Sequence, residues 1–536
     1  MDNTLFSFIN ETAVPKLNPI LANGIVVEHM KQVEGYVDKI FRSASEGFPE
    51  GLVYHRMEHC TPNEEYAETV KKKNNKRTYE TARSDVYMVK LIFSWRKEVI
   101  VRFMYLPYVR DGGLIYILGA LYSISAVLND TPISVGLNDI FIPLTCAKNT
   151  YERTIHHYYI NNDLASEFVI WSNFYLKDVE MMKSRGRPTI KANSCLAHYL
   201  FAKYGVKETF NRFGHTDIVV GTTDTINSET YPEDKWCVCY STKPALKGTG
   251  SNLALAIKRD EWSPLLAGLV GGFFYVVDLF PDRVLPEYLD GTDDELSLWR
   301  ILLGHVIFAT DVSEGKLLVD INIHIEYFDG YIDASARDDL AGAGIIVDNI
   351  YQLLAHIIET FPERIMAASN TIGSMYGKRL SVLRYVCLPI TKEVFKFMFR
   401  LRKMTGKPVT TAMDISNIMN KFLKPDLIMS INRDHGEVKP IASSSDNKAM
   451  NITNAIVLQA QSNGIGGAKA KSSLYDPGRQ LHASIAEAGS LTHLPKSEPS
   501  GRSRANLCAH ISPDGMILRD PAKQALIDSV QEKIKR

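Results

Sequence analysis

Between Asp85 and Cys146 the apolar residues fall in short runs, and that spacing limits the possible folds more than any other feature of the chain. VYMVKLIFSW, EVIVRFMYLPYV and GGLIYILGALYSISAVL are rich in Val, Ile, Tyr and Phe. Turn signals separate them at Arg110-Asp111-Gly112-Gly113 and at Asn129-Asp130. DTPISVGLNDIFIPLTC continues the series through a turn at Gly136-Leu137-Asn138-Asp139. This spacing predicts an antiparallel meander rather than alternating β-α units.

Helical spacing flanks the meander. Val26, Val27, Met30, Val33, Val37, Ile40 and Phe41 recur at three- and four-residue steps, and Gly47 and Pro49 end the pattern. A polar, aromatic passage reaches to about Asp178. Strands and helices then mix from 206 to about 400. DIVVGTTDT, KWCVCYST and KLLVDINIHIEYF read as strands. PLLAGLVGGFFYVVDLF, DDLAGAGIIVDNIYQLLAHIIETF and TKEVFKFMFRLRKM read as helices. Past Asp434 the chain turns polar, with NAIVLQAQSN as a short helix and GIGGAKAKSS as a linker. PAKQALIDSVQEKIKR reads as a last helix with Ala525, Leu526, Val530 and Ile534 near one face, which suits packing on another chain. The class expected is α+β and multidomain, with antiparallel sheets and packed helices. Leu265–Val277 is the most apolar run, shorter than the ~18–20 residues a membrane span needs, so it is expected in a core. The first residues lack a basic segment followed by an apolar one, so no signal peptide is expected.

Lys+Arg and Asp+Glu balance at 61 each, which speaks against a nucleic-acid-binding protein that works alone and leaves room for local basic patches within an assembly. Three such patches stand out. Lys71-Lys72-Lys73 with Lys76 and Arg77 reads as a basic loop. Lys183, Arg185, Arg187 and Lys191 crowd a Gly/Pro turn just before a helix capped by Asn193 or Ser194 and stopped by Gly205. A basic loop feeding a helix N-terminus suits an anion as well as an ordinary surface turn. The third patch is Leu481–Pro521, where Pro495, Pro499 and Pro513 with Gly489, Gly501 and Gly515 make successive turns around His482, His493, Lys496, Arg502 and Arg504. It fits either a solvated loop or a phosphate-bearing partner. The acids Asp293, Asp294 and Glu295 are accounted for by charge at a helix start. Cys237 and Cys239 have no second pair at zinc-finger spacing, so reduced thiols are expected. None of the common catalytic motifs, D-x-D-G-D included, is present.

Four segments resemble, in order, the N-terminal half of the β subunit of multisubunit RNA polymerases. Pro107, Gly113, Leu114, Ile115, Ile117, Gly119 and Ile124 are similar to the family's P-x-x-x-x-x-G turn and following strands. Arg187, Pro188, Leu196 and Tyr204-Gly205 resemble its R-R-K-L-P-A series. Pro477, His482, Gly489 and Leu491 match its N-P-L-S to G-G-L segment, and Pro495, Pro499 and Gly501 match the spacing of C-P-I-E-T-P-E-G. The departures are specific: Ser497 and Ser500 replace two glutamates, and Ala483 and Ser484 replace a basic pair. The compaction and the split β resemble the enzymes of giant phiKZ-like bacteriophages.

The resemblance implies a protrusion-like domain at 1–135, a lobe-like domain at 136–405, a return and linker at 406–470 and a fork-like segment at 471–536. It implies a subunit of a DNA-directed RNA polymerase, a nucleotidyltransferase, that is inert alone. No cofactor is expected in this chain, the Mg2+ ions being held by a β′-like partner. The partners implied are β C-terminal-like and β′-like subunits, template DNA and nascent RNA, with no membrane. The place of action implied is the host bacterial cytoplasm during infection, or the virion if the enzyme is packaged. Arg479, His482, Lys496, Arg502 and Arg504, then Lys183, Arg185 and Arg187, are the expected nucleic-acid contacts. A phage structural protein, or a promoter-recognition subunit of the same polymerase, is the alternative.

Overall fold

The computed structural model describes residues 27–74, 84–129, 133–144, 147–176, 194–242, 251–308, 313–368, 375–403, 411–429 and 516–535, apart from single positions within these spans. It also describes short pieces at 438–440, 458–460, 484, 487, 502–503, 510 and 512. The chain forms two units: Met1–Thr131 with Gly373–Arg536, and the intervening Pro132–Ile372. The architecture is α+β, with helices packed on mainly antiparallel sheets.

The first unit opens with helix α1 (Val33–Ser45), which buries Val33, Val37, Phe41 and Ala44 at the spacing its sequence predicts. Strand β1 (Leu52–His59) precedes helix α2 (Pro62–Asn74), which contains the Lys71-Lys72-Lys73 run expected as a loop. The reason is local. Thr61 and Glu64 form a capping box, with Thr61 N–H donating to Glu64 Oε2 at 2.8 Å and Glu64 N–H to Thr61 Oγ1 at 3.3 Å. Pro62 begins the first turn and the lysines end the helix, where cations suit its dipole. Lys76 and Arg77 lie outside the described residues.

Strands β2 (Val86–Trp95) and β3 (Glu98–Pro107) complete an antiparallel sheet in the order β1-β2-β3. Phe41 of α1 packs against it, edge-on to Phe93 with ring centres 5.9 Å apart. Strands β4 (Leu114–Ile117) and β5 (Ala120–Ile124) form a hairpin whose two turn residues, Leu118 and Gly119, both have positive φ. Strand β6 (Ala126–Asn129) ends this part of the unit.

The second unit begins with β7 (Ser134–Val135) and β8 (Asp139–Pro143). Its main feature is a long hairpin of β9 (Ala147–Ile160) and β10 (Asp163–Ser172) in the passage that sequence left unassigned. Asn161 and Asn162 make the turn, with φ of 48° and 68°. Asparagine tolerates that left-handed backbone, and a two-residue turn of this kind matches strand twist. Short strands β11 (Tyr175–Leu176) and β12 (Ser194–Cys195) lead to helices α3 (Leu196–Tyr204) and α4 (Val206–Gly214). Strands β13 (Val219–Thr222), β14 (Trp236–Ser241) and β15 (Leu253–Lys258) extend the sheet, whose main path runs β12-β10-β9-β14-β15-β13.

Helix α5 (Pro264–Leu279) is the apolar run expected in a core, and it is buried almost throughout. No helix among the described residues is long and apolar enough to cross a membrane. Helices α6 (Asp293–Phe308), α7 (Glu314–Phe328), α8 (Ala334–Gly342) and α9 (Ile350–Ala368) complete the unit. Helix α7 corrects the expected strand at KLLVDINIHIEYF. The β-branched residues suggested a strand, yet Leu317, Ile321, Ile325 and Phe328 are the ones buried, a helical spacing.

Two buried imidazoles give this unit a pH signature. His198 donates from Nε2 to the Trp299 carbonyl at 3.1 Å, and Tyr199 donates its hydroxyl to His324 Nε2 at 3.2 Å. Burial pulls them from 6.5 to about 3 and about 4, respectively. Both are therefore neutral when folded, while the unfolded chain takes up their protons as pH falls below 6.5. Their stabilisation is full above that value and is lost from it down to about 4 for His324 and about 3 for His198, by about 1.4 kcal/mol per pH unit for each histidine. Melting followed from pH 7 to 4 should show this loss, and His324→Gln should flatten it. An equal slope in variant and parent would contradict the assignment.

The chain then returns to the first unit. Strand β16 (Arg379–Ser381) pairs with β6, helix α10 (Arg384–Lys403) packs on α1, and α11 (Ala412–Phe422) lies against β3. Strand β17 (Val438–Pro440) adds to β5. Strand β18 (Leu458–Ala460) stands where NAIVLQAQSN was expected as a helix. Its backbone runs parallel to β6, with Leu458 opposite Ala126, so sheet pairing overrides the local helical spacing. Strand β19 (Arg502–Ser503) and helix α12 (Pro521–Lys535) end the described chain.

Candidate nucleic-acid interface

The last stretch of the chain, residues 471–536, is held to the rest of the first unit at three described points. At the first, Ser484 and Glu487 are buried, and the Met375 N–H donates to Ser484 Oγ at 2.7 Å. Glu487 accepts from Tyr376 Oη at 3.3 Å and from Lys523 Nζ of α12 at 2.6 Å. Its carboxylate holds the Lys523 ammonium above its ordinary value. The Arg519 guanidinium covers the Tyr376 ring at 4.6 Å. At the second point, β19 pairs antiparallel with β18, Arg502 opposite Gln459, in a sheet ordered β16-β6-β18-β19. At the third, Ile517 is buried in the core and its N–H donates to the Lys378 carbonyl at 2.9 Å. Residues 488–501, Lys496 among them, lie outside the described residues, between Glu487 and Arg502.

Of the expected contacts, Arg502 lies in β19, with its backbone in the sheet. Arg479, His482, Lys496, Arg504, Lys183, Arg185 and Arg187 lie outside the described residues. The helix that the Lys183–Arg187 loop feeds is described, and it differs from expectation. It starts after Cys195, and Ser194 is a buried strand residue rather than its cap. Cys195 packs against Gly272 of α5, and burial pushes its thiol up to about 11. Burial of Ser194 and Cys195 closes that helix end to an anion. Gly205 stops the helix as expected, with φ of 78°.

The second unit also brings Ser241, His156 and Asp278 together. The Ser241 hydroxyl donates to Asp278 Oδ1 at 2.7 Å, and His156 Nε2 lies 3.3 Å from Asp278 Oδ2. A nucleophilic serine would face the imidazole, whereas this buried hydroxyl is committed to the carboxylate. The cluster braces β9 and β14 against α5. Cys237 and Cys239, on the same face of β14, have thiols raised by burial. Among the described residues no group of three or more His, Cys, Asp or Glu could hold a metal.

Residues 9–528 match the family described as non-virion RNA polymerase subunit. The chain belongs to that family. No curated protein matches it. As a non-virion RNA polymerase subunit it is part of a nucleotidyltransferase complex and works with other polymerase subunits.

Proposed function

We propose that this subunit is the N-terminal β-like half of a split β in a giant-phage RNA polymerase. In this reading the first unit is protrusion-like and the second lobe-like, each contacting DNA, and the segment at 480–510 stands beside the active site. The observation that carries the reading is the interrupted first unit: the chain leaves it at Thr131, builds a second unit and returns at Gly373. That is the order of protrusion, lobe, return and fork in the resemblance. The Mg2+ ions and the bond-making carboxylates belong to a β′-like partner, and the site of action is the infected host's cytoplasm. Arg479, His482, Lys496, Arg502 and Arg504 contact separated strands, with Lys183, Arg185 and Arg187 as a second group.

One observation favours the promoter-recognition alternative. Ser484 occupies a position of the family's basic pair, and it is buried against Met375 rather than facing a nucleic acid. A photo-crosslinker at Lys496 in the transcribing enzyme separates the two. Labelling of template next to the growing RNA end supports the β-like reading, and labelling of upstream promoter DNA alone supports the other. Arg502→Ala with Arg504→Ala should slow elongation without loss of assembly. It should also lower the salt slope of DNA binding by roughly one unit per phosphate contact. An unchanged slope and rate would count against these residues.

A further inference from the structure

The β9–β10 hairpin has two unlike faces. On the inner face Tyr158 stacks on Phe274 of α5, and Glu167 lies beside Gly271. The acids of both strands, Glu152, Asp163 and Glu167, share the inner register. The outer register carries none. There Ile155 and Leu164 are 59% and 62% exposed. The Arg153 guanidinium lies 4.3 Å over the Phe168 ring, and among the described residues it has no carboxylate partner. Tyr159 stacks on Tyr240 of β14 with ring centres 5.2 Å apart.

Exposed aliphatic side chains beside tyrosines and an arginine, with acids excluded, have the composition of a protein-interface centre. A single nucleic-acid strand would need bare ring faces for its bases. Here Arg153 already covers Phe168, and Tyr159 and Tyr240 cover each other. The family makes this chain one subunit among several. We propose that the outer face of this hairpin seats another subunit of the same polymerase, through an apolar segment carrying a carboxylate opposite Arg153. The arginine is preset for that carboxylate, because stacking on the Phe168 ring restrains the guanidinium plane and leaves its hydrogen-bond donors unused by that contact. The inference rests on family membership and not on the β-like placement, so either can fail without the other.

The test is reconstitution of the whole polymerase with Ile155→Asp and Leu164→Asp together, and separately with Arg153→Glu. Each variant should lower recovery of one companion subunit by about tenfold or more. The purified chain should keep its parent's circular dichroism. Full subunit recovery overturns the proposal, and weakened DNA binding with full recovery makes the face a nucleic-acid surface instead. Should a variant misfold, hydrogen exchange of the unaltered chain decides. Residues 153–168 should exchange more slowly in the polymerase than in the free subunit, and equal exchange overturns the inference.

Discussion

Glu295→Gln should lower the melting temperature of the second unit by roughly 6–12 °C. The Glu295 side chain is completely buried, and its carboxylate meets three donors. Oε1 accepts from the Val206 N–H at 2.7 Å and from Trp299 Nε1 at 3.1 Å, while Oε2 accepts from the Gly291 N–H at 2.7 Å. Two of these donors are backbone groups: Val206 opens α4, and Gly291 lies just ahead of α6. Partial positive charge at both helix starts favours the anion. A glutamine keeps the shape but carries one NH2 group, which meets a donor whichever way the amide turns. At least one charge-assisted bond is lost and one donor is left facing another, costing about 3 kcal/mol. Glu295→Ala removes all three bonds and leaves a cavity, so it should cost more. Gly205→Ala should imitate the effect, since its φ of 78° disfavours a side chain and a Cβ would stand 3.3 Å from the carboxyl carbon. Calorimetry of the chain and the three variants checks the order, and a Gln variant melting within about 2 °C of the parent would remove Glu295 from this role.

Glu295 also marks where sequence reasoning stops. Helix-start charge fits Asp293 and Asp294, which are exposed, but the third acid bridges three elements, and nothing in its neighbours announces that. Periodicity succeeded where burial is one-sided, as in α1 and α5. It failed at α7, where β-branched residues blurred a helical spacing, and at β18, where pairing with β6 decides the backbone. Two local signals are legible in the sequence: the Thr61–Glu64 capping box and the Asn161-Asn162 turn. The candidate interface was legible only as composition. Ser484 and Glu487 are tied to Met375 and Tyr376, more than a hundred residues away in sequence, and one sequence holds no signal for such pairs.

Arg110→Ala should destabilise the first unit by about 3 kcal/mol in denaturant unfolding, more than its exposed position suggests. Its guanidinium makes a two-pronged contact with Asp85, Nε to Oδ2 at 2.8 Å and Nη2 to Oδ1 at 2.9 Å. The pairing raises the Arg110 pKa, with the bond to Asp85 as the main cause. The two residues differ in exposure: the Asp85 side chain is 5% exposed and that of Arg110 43%. Removing the arginine takes the counter-ion from a buried carboxylate, whereas removing the aspartate leaves a cation that can turn to water. Asp85 has a second task, since it also accepts from the Tyr116 N–H at 2.9 Å and so joins the start of β2 to β4. Asp85→Ala should therefore cost about 2–3 kcal/mol through that lost bond. The double variant should fall short of the summed single losses by about 2 kcal/mol, because both singles break the same contact. Strict additivity would mean that the pair is a surface ornament and that the Gly112–Gly113 turn holds itself. Coupling would mean that the Pro107–Gly113 turn, one of the segments resembling polymerase β, is fixed from the start of β2, and that β5, with β17 on its edge, inherits its position from that contact.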